Sequence, residues 1–144
     1  MAKILVVDNN PVTIEQVGVI LRNAGHVVDS RHDTGGLTDF IHETHPDLII
    51  LGIYFNDDAH AGIKAARVLT DDPHLCRTPI LMLSAINRNS RLPLRISESD
   101  ISEDFLPIDA FIDKPVQAEL LLEKVERLLT LAPKQRIRHC RTGR

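Results

Sequence analysis

His45-Pro46-Asp47-Leu48-Ile49-Ile50-Leu51-Gly52 reads as a turn followed by a short apolar strand that runs out into a loop. Four consecutive apolar residues mean that both faces of the strand are covered, which is the habit of a parallel sheet wrapped by helices. In such a sheet the tip of a strand is where polar, working side chains gather. Here the tip is Gly52, which carries no side chain at all. Taken alone, that glycine only eases the chain into its loop; its surroundings change the reading.

Working outward, short apolar runs alternate with helical patterns along the whole chain, which predicts an α/β fold with helices on both faces of the sheet. Ile4-Leu5-Val6-Val7 is a buried strand. Asn10 is placed to cap the next helix, Pro11 suits its first turn, and Val17, Ile20, Leu21 and Ala24 form its inward stripe before Gly25 stops it. Val27-Val28 reads as a short second strand. Thr34 is the expected cap of a helix over 35–44 with Leu37 and Ile41 inward, and Pro46 ends it. After the Leu48–Leu51 strand come a loop, a helix over 61–69, a strand over Pro79–Leu83, and a strand at Ala110-Phe111-Ile112. Pro93 and Pro107 interrupt 85–107, which predicts a short or irregular helix there. Leu121, Val125, Leu128 and Ala132 stripe the last helix. Leu122 and Leu129 lie off that stripe, open to a partner or to further core.

Composition narrows the class. A chain of 144 residues fits one domain, and 43% hydrophobic content with 3% aromatic points to an aliphatic core. A net charge of −3 offers no general attraction to nucleic acid or to an anionic membrane. Neither a signal peptide nor a membrane-length apolar run is visible. Cys76 and Cys140 are too few for a disulfide framework and lack metal-site spacing, which fits a reducing cytoplasm. The expectation is a cytoplasmic domain over 1–132 with a basic, disordered tail over 133–144.

Reading the strand ends in order gives Asp8 and Asn9, then Gly52, then Ser84, then Asp113 and Lys114. Pro115 restricts Lys114 to extended geometry, which could aim its side chain over the sheet edge toward Asp8. With these residues in hand, the chain over 3–132 resembles the receiver domain of bacterial two-component response regulators, the CheY-like family. Lys3-Ile4-Leu5-Val6-Val7-Asp8 is similar to the family's first strand and first acid, and Pro46–Leu51 to the strand leading to its phosphoacceptor. Ser84-Ala85 is similar to the switch hydroxyl and the small residue after it, Phe111 to the aromatic switch position, and Lys114-Pro115 to the family's lysine and the proline following it.

The resemblance implies a flavodoxin-like, doubly wound five-stranded parallel sheet of order 2-1-3-4-5 and a cis bond before Pro115. It also implies phosphoryl transfer from a kinase histidine to an aspartate beside magnesium, with the acceptor carboxylate attacking and the lysine and hydroxyl binding the product. Measured against that pattern, three features depart. Gly52 stands at the acceptor position, Asn9 replaces the second acid, and the loop from Gly52 to Gly62 is about two residues longer than usual. Asp8 alone remains as a charged ligand, so at most weak magnesium binding is expected. An opposite-charge pair at ~4 Å is worth about 4 kcal/mol at an effective dielectric constant of 20, so two missing carboxylates weaken a divalent site by orders of magnitude. Lys114, without its usual partner, is expected to pair with Asp8.

The function expected is therefore a stand-alone, non-catalytic pseudo-receiver in two-component, phosphorelay signalling. It would act by contact with a histidine kinase or other signalling protein, through the fourth-helix region, the fifth strand and the last helix, with a homodimer left open. The alternative is a phosphorylation-competent, magnesium-dependent receiver using Asp8, Asp57 or Asp58. A third reading is an anion site built on Lys114, Ser84 and the space left by Gly52. His42 and His45 read as surface residues, Gly35-Gly36 lacks phosphate-loop spacing, and the basic tail reads as a disordered end, with contact to a partner or nucleic acid as the alternative.

Overall fold

In the computed structural model, residues 2–52, 61–72, 75–84 and 108–130 are described. The strands are β1 (Lys3–Val7), β2 (Val27–Arg31), β3 (Leu48–Gly52), β4 (Ile80–Ser84) and β5 (Ala110–Asp113), and the helices are α1 (Pro11–Asn23), α2 (Leu37–Thr44), α3 (Ala61–Asp71) and α4 (Ala118–Thr130). All five strands are parallel in the order β2-β1-β3-β4-β5, as the resemblance implied.

Because successive strand side chains point to opposite faces, the apolar strands feed two separate cores. Leu5, Val7, Ile49, Leu51, Ile80 and Met82 pack against Leu37 and Ile41 of α2 and Ile63, Ala66 and Leu69 of α3. Ile4, Val6, Leu48, Ile50, Leu81 and Leu83 pack against Val17 and Leu21 of α1 and Leu121, Val125 and Leu128 of α4. Each such side chain stabilises the fold by about 1.5–3 kcal/mol when fully buried. Leu122 and Leu129 are half-buried against the second core, which answers the question left open for them.

Local signals explain most element ends. The Asn10 side chain accepts a hydrogen bond from the Val12 N–H at 3.0 Å, and Pro11 opens α1. Gly25, at φ +93°, turns the chain into β2. The buried face of α1 is Thr13, Val17, Gly18 and Leu21, whereas Ile20 is half-buried and Ala24, already the C-cap, is exposed. Thr34 does not cap α2. Gly36 does, in the left-handed region, while Asp33 accepts from the Gly35 N–H and the Thr34 carbonyl from Leu37. Two consecutive glycines let the chain turn where a threonine cap would have been needed. β2 is also longer than expected, since an edge strand tolerates Asp29, Ser30 and Arg31 in a full ladder with β1.

At the amino edge of the sheet, two acids each clasp the start of a neighbouring strand. The Asp47 carboxylate accepts from the Lys3 N–H at 2.9 Å while the Asp47 N–H donates to the Lys3 carbonyl. The buried Asp109 repeats the pattern with Ile80, at 2.8 and 2.9 Å. Cys76 is buried in the core. Cys140, Ala132, the 53–60 loop with Asp57 and Asp58, the 85–107 stretch and the 133–144 tail lie outside the described residues.

Candidate functional site

Parallel strands bring their carboxyl ends to one edge, and the register settles which residues meet there. Val7 pairs with Leu51, so Asp8, one residue on, stands beside Gly52. Gly52 in turn pairs with Leu83, and Ser84 with Asp113. Lys114 follows, joined to Pro115 by a cis peptide bond. Thus the ends of β1, β3, β4 and β5 line up in the order the strand-end reading anticipated.

Asp8 is held on three sides. Its N–H donates to the Arg31 carbonyl at 3.1 Å, extending the ladder to β2 by one residue. Its Oδ1 accepts the Asn10 N–H at 2.9 Å, a turn in which aspartate closes on the backbone two residues ahead. Its Oδ2 lies 2.9 Å from Lys114 Nζ. The ammonium approaches outside hydrogen-bonding angles, so Oδ2 makes an ion pair but accepts no hydrogen bond. The Asp8 side chain is 1% exposed and that of Lys114 is 23% exposed. Such a pair contributes little net stability, yet removing the lysine would strand the buried carboxylate's charge.

Gly52 is shaped by this carboxylate. A Cβ built on it would sit 2.7 Å from Asp8 Oδ2 and 3.1 Å from Asp8 Cγ. The position a Cβ at 52 would take is therefore occupied by the Asp8 carboxylate. Asn9 is exposed. Phe111 is half-buried against the core on the α2 and α3 side, and Pro115 is exposed. His42 Nε2 lies 3.0 Å from Asp72 Oδ2, a pairing with no bearing on the carboxyl edge. Among the described residues, no three His, Cys, Asp or Glu side chains gather closely enough to hold a metal ion.

Two contributors escaped the sequence reading. The Asn10 backbone fixes Asp8, and the Asp8-Asn9-Asn10 spacing ahead of Pro11 was the available signal. Arg31, at the end of β2, lies 4.9 Å over the Phe40 ring and donates to the Gly35 carbonyl at 2.6 Å, bracing the loop beside Asp8. No sequence signal pointed to it, because β2 was read as ending at Val28.

A doubly wound sheet of this strand order, with an acid after β1 and a lysine after β5 meeting over the tip of β3, defines a receiver-type architecture. The sequence comparisons agree: the model for the response regulator receiver domain matches residues 4–126, and the chain belongs to that family. It is 24% identical to Protein PilH of Pseudomonas aeruginosa over 129 residues, covering 90% of this chain and 98% of that protein. Chemotaxis response regulator CheY4 of Vibrio cholerae superposes with a TM-score of 0.72 at 23% identity, over 89% of this chain and 98% of that one. The signal receiver domain of a histidine kinase from Syntrophus aciditrophicus does so at 0.72 and 25% identity, over 90% and 91%. The chain is thus a receiver domain of two-component signalling, not a catalytic enzyme, and membership in the family implies signalling-protein partners. Among the described residues, no helix is long and apolar enough to cross a membrane.

Proposed function

We propose that this receiver domain does not accept a phosphoryl group at the family's usual position and works by binding protein partners. The observation that carries the reading is Gly52. The residue at the tip of β3 offers no nucleophile, and the neighbouring Asp8 carboxylate is buried and engaged by Asn10 and Lys114. The donor set does not suit magnesium either. That ion needs near-octahedral oxygen ligands, usually including one or two carboxylates. Among the described residues beside the tip of β3, Asp8 supplies the carboxylate, with one oxygen accepting an N–H and the other against an ammonium group. Its partner is a histidine kinase or another signalling protein of the same pathway.

Incubating the full chain with acetyl phosphate and magnesium, then measuring intact mass, tests this. No added phosphoryl group is the expected result. A stoichiometric gain mapped to Asp8, Asp57 or Asp58 would overturn it in favour of a magnesium-dependent receiver.

A further inference from the structure

Gly52 has no conformational reason to be glycine. Among the described residues, only Gly25 and Gly36 are glycines with positive φ, so the backbone at 52 suits any L-residue. Nor is the general packing prohibitive. Among the described residues, the nearest atom to an added Cβ other than the Asp8 carboxyl is the Val7 carbonyl oxygen, at an ordinary 3.5 Å. Among the described residues, what crowds an added side chain is the Asp8 carboxyl, at 2.7 Å.

We infer that positions 8 and 52 interlock: the Asp8 carboxylate is seated where a side chain at 52 would lie, and from that seat it serves as the fixed counterion of Lys114. The inference deepens the reading of the pocket as non-accepting and rests on it. Three features support the seat. β3 and β4 separate β1 from β5, so the two partners start three strand spacings apart, about 14 Å in a flat sheet. A short aspartate meets the lysine only by leaning over the tip of β3, and a bare glycine leaves that path clear. The Asn10 N–H holds the other carboxylate oxygen, which turns Oδ2 toward Lys114. Burial to 1% exposure keeps water from competing for the charge. Asp8 is then a positioning residue for Lys114, and the lysine's orientation is set inside the domain, with no metal or phosphodonor required.

The test uses Gly52→Ala and Asp8→Ala, singly and together, in the full chain. The readouts are the Lys114 side-chain ammonium resonance, assigned with Lys114→Gln, and the urea midpoint. The added methyl pushes Oδ2 from its seat, so Gly52→Ala should erase the slowly exchanging Lys114 signal and lower the midpoint. In the Asp8→Ala background the same change should leave the midpoint where it was. Recovery of folding in the double variant, should Gly52→Ala alone fail to fold, supports the interlock equally. An unaltered Lys114 signal, an equal loss of midpoint in both backgrounds, or failure of the double variant to fold would each overturn it. A phosphoryl gain on the unmodified chain would defeat the proposed function while leaving this coupling measurement unchanged, so the two failures are separable.

Discussion

Acids at the two edges of this sheet do different things with similar chemistry. At the amino edge, Asp47 and Asp109 each immediately precede a strand and exchange a reciprocal pair of hydrogen bonds with the first residue of the strand beside it. At the carboxyl edge, Asp8 immediately follows a strand and spends one oxygen on a backbone N–H and the other on an ammonium group. The amino-edge acids answer neutral backbone groups and set register. The carboxyl-edge acid answers a charge from the far side of the sheet, at the edge where doubly wound folds keep their chemistry. One edge is stitching; at the other, the acid is drawn over the tip of β3 toward a lysine.

Asp109→Ala is the strongest blow to the stitching. It leaves the Ile80 N–H without its acceptor in a dry site, and a loss of about 2–3 kcal/mol is expected from chemical denaturation. Asp109→Asn, which keeps an acceptor oxygen, should recover part of it. At the other edge, Asp8→Ala frees a lysine that is already 23% exposed and can turn to water, so about 1–2 kcal/mol is expected. If Asp8→Ala proved costlier than Asp109→Ala, the contrast between the edges would collapse. Asp47→Ala, at an exposed site, should cost about 0.5–1 kcal/mol, which sharpens the point that burial and not hydrogen-bond count sets the scale. The smallest effect concerns the ion. Millimolar magnesium should leave the unfolding temperature of the unmodified chain unchanged, since a ligand stabilises only in proportion to its occupancy. Gly52→Asp supplies a further carboxylate, and a rise in unfolding temperature with magnesium in that variant alone would show that position 52 sets the affinity for the ion.

Much of the fold was legible because its signals are physical and local. Leu48–Leu51 is apolar on both faces, and a strand buried on both faces needs helices above and below it. Asn10 and Pro11 announced the start of α1 for the reason they occur there. The carboxyl-edge residues were legible as well, since parallel strands must deliver their ends to one place, and the charge left on Lys114 predicted its pairing with Asp8. What stayed hidden depends on neighbours distant in sequence. β2 keeps its polar end in a strand only because β1 is there to pair with it. Thr34 lost its capping role to Gly36 because Asp33 and Arg31 had already organised the loop. The filling of the space beside Gly52 follows from a side-chain direction, which no residue spacing encodes.

The ion pair joins a residue that follows the first strand to one that follows the last. A chain leaving the ribosome exposes Asp8 early and must wait for nearly every other sheet residue before Lys114 exists to meet it. Until then the carboxylate is without that counterion. The lysine resonance thereby reports on the first and last strands of the sheet at once.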